Sequence, residues 1–295
     1  MEKEKIMFLN KKRFDNHNYD SYVIEKKLVD KETEAGSVPY IKLKDEDIKI
    51  LSSVKQGGKD SPLIGIMLAE EGEYYALTEY YIKSVLQNEA DIRFISFDKV
   101  VEQTAGVNGV LVPGGAYNSP SEWYIKGTFS NLGKRSLANL KITETALAKK
   151  LPILGICAGM QMISGIVGYN HGVRLYLSLV KETGTKEVHQ GLVNHPININ
   201  KNSMLYKYIY EEKAVVNSNH KEAVVFETIG DDSSLLVSAV SPDGIVEAVE
   251  VKNYPAFLLG VQWHPERLAV NEDDIINKKI FSAFVAAAKN KKAPS

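Results

Sequence analysis

Beyond residue 62, short apolar runs alternate with segments of helical periodicity, and this alternation is the strongest constraint on the fold. Continuous apolar runs are typical of strands buried on both faces of a sheet. Apolar residues spaced three and four apart indicate an amphipathic helix. We predict strands at 63–69, 92–97, 109–112 and 153–156, and helices at 74–85, 135–150 and 158–167. Such an order of strands and helices predicts an α/β fold with a doubly wound, mostly parallel central sheet.

The C-terminal half contains more strand-like segments than the first half. We predict strands at 214–217, 223–226, 235–240, 245–251 and 257–262, followed by an amphipathic helix at 274–288. Asp243 and Gly244 lie between two of these runs, and an Asp-Gly pair in that position is a strong hairpin signal. Hairpins join antiparallel strands, so we expect added antiparallel strands in this half of the sheet.

The first 60 residues differ from the rest in charge density. They contain 13 Lys or Arg and 12 Asp or Glu, which is 25 of 60, against 73 − 25 = 48 in the remaining 235. High charge with few apolar runs predicts a solvated or loosely docked segment. The GGKDSP stretch at 57–62 predicts a linker or turn. We therefore divide the chain into a charged N-terminal extension, 1–60, and a main domain, 61–295. The extension either wraps the core or acts as a partner-binding or regulatory arm.

Composition argues against several classes of protein. The formal net charge is −1, so there is no excess of basic residues for a nucleic-acid-binding face. The single cysteine, Cys157, excludes an internal disulfide framework and a multi-cysteine zinc site, and we expect no metal. No apolar run approaches the roughly 20 residues of a membrane span, and the first residues do not resemble a secretory signal. We expect a cytoplasmic protein without nucleic-acid or membrane partners, and a homo-oligomer is compatible with the sequence.

The segment GICAG at 155–159 has the form Gly-x-nucleophile-x-Gly. It lies between a predicted strand and a predicted helix, which is the setting that a nucleophile elbow requires. The two glycines allow a tight turn that presents the central side chain at the carboxyl edge of the sheet. There the helix dipole and the free N–H groups favour the thiolate form of Cys157. The alternative is a buried structural cysteine, since cysteine is often buried.

The segment GVQWHPE at 260–266 supplies a candidate base. A predicted strand places His264 at its end, and the following proline prevents His264 from continuing a helix. Glu266 can turn back to accept a hydrogen bond from the imidazole. Cys157, His264 and Glu266 thus follow the order of nucleophile, base and orienting acid. A surface turn is the alternative for this segment alone, but its occurrence together with the elbow favours catalysis.

The segment VPGG at 112–115 ends a predicted strand in two glycines. Backbone N–H groups in such a turn are unobstructed by side chains, and acyl transfer needs donors aimed at the developing oxyanion. The amides of Gly115 and Ala158 are the natural pair for this oxyanion hole. A plain tight turn is the alternative.

Taken together, these segments resemble the class I glutamine amidotransferase-like superfamily. The elbow and the His-Pro-Glu triplet carry that resemblance. The VNSNH and SPDGIVEAVE segments look like the gamma-glutamyl-gamma-aminobutyrate hydrolase (gamma-glutamyl peptidase) branch rather than synthetase glutaminase domains. The matching segments are 109–124, 151–168, 194–199, 215–224, 237–250 and 260–266. The resemblance implies a flavodoxin-like α/β fold and makes 61–295 a class I glutamine amidotransferase-like catalytic domain.

The resemblance also implies roles for particular residues. Cys157 would be the nucleophile, His264 the general base and then acid, and Glu266 the residue that orients the imidazole. Gln161 matches a position that lines the substrate pocket. His220 matches a position at the edge of the site, where a solvent-exposed loop histidine is the alternative. The implied reaction cleaves a gamma-glutamyl amide or isopeptide of a small molecule through a gamma-glutamyl thioester, releases glutamate and an amine, and needs no cofactor.

Two other functions stay open at this point. The chain could be a glutaminase subunit that delivers ammonia to a separate synthetase, although it carries no recognisable synthetase domain. It could also be a non-catalytic scaffold on the same fold, with the extension as its interaction arm.

The sequence departs from the hydrolase branch in several places. Ala158 stands where many of these hydrolases carry an arginine, and Lys221 and Glu222 follow His220 where the family often has His-Gln. Residues 169–190 fit the family poorly, and residues 1–60 have no counterpart. The identity of the leaving amine is therefore open.

Overall fold

The computed structural model describes residues 3–52, 60–126, 132–184, 189–271 and 273–291. Its strands are β1 (Lys3–Phe8), β2 (Asn10–Arg13), β3 (Asp20–Glu25), β4 (Ser37–Lys42), β5 (Leu63–Met67), β6 (Ala69–Glu71), β7 (Tyr74–Thr78), β8 (Asp91–Ile95), β9 (Gly109–Val112), β10 (Ile153–Ile156), β11 (Leu175–Tyr176), β12 (Val193–Ile199), β13 (Lys213–Ser218), β14 (Ala223–Val224), β15 (Leu235–Val240), β16 (Val246–Val251) and β17 (Leu258–Val261). Its α-helices are α1 (Lys26–Glu34), α2 (Asp45–Ser52), α3 (Glu79–Leu86), α4 (Val100–Gln103), α5 (Lys134–Ala148), α6 (Ala158–Gly168), α7 (Leu179–Thr183), α8 (Met204–Ile209), α9 (Pro265–Ala269) and α10 (Ile275–Asn290). In the ranges described, no helix has both the length and the apolar character that crossing a membrane requires.

A mixed sheet runs through the molecule, and its centre is parallel. The strand order is β1-β4-β8-β5-β9-β10-β17-β16-β15-β12-β13. β5 is parallel to β8 and β9, and β10 is parallel to β9 and β17. Helix α3 packs against α10 and α5 against α6, and both pairs contact the parallel strands. Two helical layers therefore enclose the sheet, and the predicted doubly wound, flavodoxin-like α/β fold is confirmed.

The C-terminal half of the sheet is antiparallel, as predicted. β17, β16, β15, β12 and β13 are joined in that order by antiparallel pairs. The β15–β16 hairpin closes at Gly244, whose φ of +85° lies in the left-handed region that suits glycine. The Gly244 amide donates to the Ser241 carbonyl at 3.0 Å.

One predicted helix, 74–85, begins as a strand. Tyr74–Thr78 forms β7, and the helix is confined to Glu79–Leu86. β7 pairs antiparallel with β3 and β6. Aromatic residues suit a strand, and pairing with a distant segment overrides the helical spacing that the sequence shows locally. The predicted strand at 223–226 is also shorter, since Ala223–Val224 is followed by a turn of 3-10 helix.

Residues 3–52 are folded onto the main domain. β1 and β4 extend the large sheet beyond β8, while β2 and β3 join β7 and β6 in a second sheet. Leu9, Tyr22, Val29 and Ile41 are buried. This differs from the expected solvated or loosely docked segment, because the few apolar side chains of the segment fall on its inward faces, which charge density does not reveal. The division at residue 60 and the two roles named for the extension stay predictions. Residues 57–59 of the expected linker lie outside the described ranges.

Candidate active site

Cys157 lies in a strained turn between β10 and α6. Its φ of 54° and ψ of −112° are rare for a residue with a side chain, as expected for a nucleophile elbow. The two flanking glycines are needed for space. A Cβ on Gly155 would lie 2.8 Å from the Gly159 carbonyl oxygen, and a Cβ on Gly159 would overlap the carbonyl oxygen of Val112 on β9. The backbones of the elbow and of β9 therefore approach so closely that both flanking positions need glycine.

The register of the parallel strands brings the His-Pro-Glu segment to this elbow. β10 and β17 are in register from Ile153 opposite Leu258 to Ile156 opposite Val261. The Cys157 amide donates to the Val261 carbonyl at 2.7 Å. Both strands end at the same edge of the sheet, and the chain reaches His264 three residues beyond β17.

His264 is paired with Glu266 and lies near Cys157. Its Nδ1 lies 2.8 Å from Glu266 Oε1. A Cβ built on Gly114 would lie 2.9 Å from Cys157 Cβ and 3.1 Å from His264 Cε1, so the two side chains meet over that glycine. Burial would lower the pKa of His264, but the Glu266 carboxylate and a hydrogen bond with Cys157 outweigh it and raise the pKa to about 10. The imidazole is thus held as a cation beside the sulfur at neutral pH.

Asn217 on β13 fixes the backbone of His264. The His264 amide donates to Asn217 Oδ1 at 2.8 Å, and Asn217 Nδ2 donates to the His264 carbonyl at 3.0 Å. The sequence analysis assigned no role to Asn217. Its only signal was its place in the VNSNH segment, because the contact spans 47 residues of chain.

We expect Asn217→Ala to lower kcat/KM by about 10- to 100-fold with little change in KM, because a small misplacement of a catalytic group costs about that much. The measurement is the steady-state release of glutamate from a gamma-glutamyl amide, the substrate class that the family resemblance implies. Asn198→Ala is the matched control, since Asn198 is exposed on the neighbouring strand β12. Equal rates for the two variants would show that β13 does not position the base.

One predicted oxyanion donor follows Cys157 in the chain, and the other follows Gly114, which lies against Cys157. Ala158 is the first residue of α6, and Gly115 follows the turn after β9. Within the ranges described, neither amide donates to another residue. The neighbouring amide, that of Gly114, donates to the Tyr81 hydroxyl at 3.1 Å, and Arg135 Nη2 donates to the Gly114 carbonyl at 3.0 Å. These two bonds fix the turn, and the amides of Gly115 and Ala158 stay available to a ligand.

A cavity of about 580 Å³ lies over these groups, and all seven predicted site residues line it. They are Cys157, His264, Glu266, Gly115, Ala158, Gln161 and His220. Their roles stay predictions. The N-terminal segment adds His17, Tyr19 and Ser21 to the lining, which the sequence analysis did not foresee.

The hydrogen-bonding groups of Gln161 and His220 are largely engaged within the protein. Gln161 Nε2 donates to the Glu222 carbonyl at 3.0 Å and to Gln262 Oε1 at 3.1 Å. His220 Nδ1 lies 2.8 Å from the Glu222 carbonyl oxygen, and its Nε2 faces Glu247. Burial lowers the pKa of His220 to about 4, so the ring is neutral. A ligand in the cavity can therefore contact Gln161 through its Oε1 and His220 through its ring edge.

Two arginines bring positive charge to the cavity. The guanidinium of Arg135 lies 4.9 Å from the ring centre of Tyr117, and that of Arg267 lies 5.2 Å from the ring centre of Tyr19. In each, Nε is buried and has no partner within the described part of the chain. Both residues line the cavity and bring a positive charge to its wall.

Comparisons with known proteins found a matching family model and several similar sequences. The family model described as Peptidase C26 matches residues 62–266. A glutamine amidotransferase-like protein of Rickettsia prowazekii is 27% identical over 286 residues, covering 78% of this chain and 99% of its own. The gamma-glutamyl-gamma-aminobutyrate hydrolase PuuD of Escherichia coli is 30% identical over 162 residues, covering 53% and 61%. The CTP synthase of Flavobacterium psychrophilum is 24% identical over 263 residues, covering 77% of this chain but 44% of the synthase.

Solved structures share the fold. The glutaminase domain of Trypanosoma brucei CTPS with bound acivicin superposes with a TM-score of 0.55 at 21% identity, covering 79% of this chain and 97% of the domain. A glutamine amidotransferase of Thermotoga maritima gives a TM-score of 0.51 at 13% identity, covering 79% of this chain and 100% of its own. At these identities the likeness concerns the fold alone.

Proposed function

The chain belongs to the peptidase C26 family, and from that membership we propose that it is a cysteine hydrolase of gamma-glutamyl amides. The observation that carries the proposal is the meeting of the Cys157 elbow with the His264–Glu266 pair at the carboxyl edge of the sheet. A strained cysteine, a buried imidazole bonded to a carboxylate and two free amides are the parts that covalent acyl transfer requires.

In the proposed reaction, the sulfur of Cys157 attacks the side-chain carbonyl carbon of a glutamyl group. The oxyanion that forms is stabilised by the amides of Gly115 and Ala158. The imidazolium of His264 gives its proton to the leaving amine as the C–N bond breaks, which leaves a gamma-glutamyl thioester. His264 then takes a proton from water, the resulting hydroxide attacks the thioester, and glutamate leaves as the C–S bond breaks and the thiolate is restored.

The charges of the cavity suit a glutamyl group. Arg135 and Arg267 are placed to bind its alpha-carboxylate, because guanidinium groups bind carboxylates in paired hydrogen bonds. Arg135 contacts the turn at Gly114 and so supplies a cation near Ala158, where the hydrolase branch often has an arginine. Acidic side chains for the alpha-ammonium group line the same cavity: Glu70, Glu71 and Glu222.

A second candidate is a glutaminase that passes ammonia to a partner synthetase. It is favoured by the similarity to CTP synthases, of which this chain spans less than half. In that case glutamine would be the substrate, and turnover would depend on the partner.

A substrate screen tests the proposal. The purified chain is incubated with gamma-glutamyl-gamma-aminobutyrate, a gamma-glutamyl peptide, a gamma-glutamyl polyamine and glutamine, and free glutamate is measured. The matched control is the alpha-linked isomer of each peptide. We expect gamma-linked substrates to be cleaved at least about 100-fold faster than alpha-linked ones, because the alpha-carboxylate must be free to bind. Equal rates for the two linkages would refute the assignment, and glutamine hydrolysis that appears only when a partner protein is added would favour the glutaminase.

A further inference from the structure

Three imidazoles surround one buried carboxylate oxygen next to the cavity wall. Glu247 Oε1 on β16 lies 3.6 Å from His189 Nδ1, 3.6 Å from His195 Nε2 and 3.7 Å from His220 Nε2. The side chain of Glu247 is fully buried, and those of the three histidines are at most 3% exposed. The ring centres of His195 and His220 lie 4.8 and 4.9 Å from that of His189.

The outer nitrogen of each ring is held by an acceptor. His195 Nδ1 lies 3.1 Å from the Pro196 carbonyl oxygen, and His220 Nδ1 lies 2.8 Å from that of Glu222. A carbonyl can only accept, so both Nδ1 atoms carry a hydrogen and both Nε2 atoms face Glu247. In the tautomer that has its hydrogen on Nδ1, Nε2 presents a lone pair, which is the form that binds a metal ion.

In His189 the two ring nitrogens have the opposite positions, with Nε2 on the outer side and Nδ1 facing Glu247. Its Nε2 lies 3.1 Å from Asp243 Oδ2, while Nδ1 faces Glu247 and the Ser218 hydroxyl, 3.3 Å away. An imidazole whose outer N–H is bonded to a carboxylate or a backbone carbonyl is the usual surrounding of a metal-binding histidine.

Apart from His189 Nδ1, which lies beside the Ser218 hydroxyl, the inner atoms have no hydrogen-bond partner among the described residues. Within the described part of the chain, His195 Nε2, His220 Nε2 and both carboxylate oxygens of Glu247 are buried and form no hydrogen bond. Lone pairs that face a carboxylate oxygen in a dry interior repel one another unless a positive charge lies between them. A cluster of this kind is stable only if a cation or additional protons occupy its centre.

We propose that His189, His195, His220 and Glu247 bind a divalent transition-metal ion of the zinc type. The ligand atoms of His189, His195 and Glu247 all lie within 4.8 Å of one another, and those of a tetrahedral ion lie about 3.3 to 3.6 Å apart, so binding needs a small contraction of this group. His220 Nε2, which lies 3.7 Å from Glu247 Oε1 but outside that group, would join as the fourth ligand by a shift of its ring. Nitrogen ligands with one carboxylate suit Zn²⁺ and its neighbours better than Mg²⁺ or Ca²⁺, which prefer all-oxygen sites. Four protein ligands leave no open position, so the ion has a structural role.

The position of the site indicates what the ion stabilises. Its ligands come from a loop before β12, from β12, from the loop after β13 and from β16. Gln190, Asn219 and Lys221, which flank the ligands, line the cavity. The ion would therefore hold one wall of the cavity in place. The sequence analysis expected no metal, and the successive gaps of 6, 25 and 27 residues between the four positions match no short metal motif.

Metal content tests the proposal directly and does not depend on the proposed function. The full chain is purified without an affinity tag of histidines, without added metal and without chelator, and its first-row transition metals are measured by mass spectrometry. We expect about one ion per chain. The chain is then stripped with a chelator and titrated with Co²⁺, which we expect to give the visible absorption of a four-coordinate ion together with a rise in Tm.

Glu247→Gln and His195→Asn keep the side-chain size and should lose the ion and the Co²⁺ spectrum. His171→Gln is the matched control, because His171 is exposed on another loop and should keep both. Wild-type protein without metal as purified, with no Co²⁺ spectrum and no rise in Tm, would overturn the proposal in favour of a cluster that holds protons alone. An ion that persists in both site variants would overturn it as well, since the ion would then be bound elsewhere. Because wild type alone decides the first outcome, a variant that fails to fold leaves the test intact.

Discussion

Cys157→Ala is expected to abolish hydrolysis of gamma-glutamyl substrates, with a loss in kcat of at least about 10⁴-fold, as for other enzymes that lose their nucleophile. Without the sulfur no thioester can form, and His264 and the free amides have no acyl group to act on. The variant should fold normally, since the turn already tolerates a side chain at this position and alanine removes a single atom from a site that is 7% exposed.

The measurement combines steady-state kinetics with mass spectrometry of the quenched enzyme. Wild type should carry an added gamma-glutamyl group on Cys157 during turnover, and the variant should carry none. Ser164→Ala is the matched control: Ser164 is buried on α6, and its hydroxyl donates to the Met160 carbonyl at 2.9 Å, within its own helix. Its activity should stay within about twofold of wild type, because the bond it loses is worth only about 1 kcal/mol to folding. Substantial turnover by Cys157→Ala would reject this residue as the nucleophile.

Gly159→Ala is expected to have the second-largest effect. The added Cβ would overlap the Val112 carbonyl oxygen, and this backbone atom belongs to a buried central strand that cannot retreat. We expect a loss of about 1 to 3 kcal/mol in the free energy of unfolding, as for other overpacked sites. Since α6 must shift away from β9 to make room, the sulfur moves relative to His264, and kcat should fall by about 100-fold or more.

Denaturant unfolding and kinetics on the same preparation separate these two effects. Gly133→Ala is the control, because Gly133 has nothing within 4 Å of the added Cβ and an ordinary negative φ. If Gly159→Ala matched Gly133→Ala in stability and rate, the close contact between the elbow and β9 would play no part in shaping the site.

The sequence predicted the centre of the site because its determinants are local or follow from parallel strands. The elbow needs two glycines beside Cys157, and the ends of β10 and β17 meet at one edge of the sheet whenever the two strands are parallel neighbours. The roles assigned to all seven site residues stay predictions, and the structure places all seven at one cavity.

The remaining features depend on contacts between distant parts of the chain. Asn217 reaches His264 across 47 residues, and β7 is a strand because β3 pairs with it. Tyr19 reaches the cavity from the extension, while the histidine cluster joins positions scattered between 189 and 247. No local pattern marks such contacts, because each side chain looks ordinary until the sheet brings it to its partners.

The placement of His17, Tyr19 and Ser21 has an evolutionary consequence. These residues precede the region that matches the family, yet they line the same cavity as Cys157. Changes in this stretch can alter which amine is accepted while the reacting groups stay untouched. Related enzymes with different N-terminal segments would then share one reaction and differ in the amine they accept. Exchanging these segments between such enzymes is therefore a direct way to change substrate selectivity.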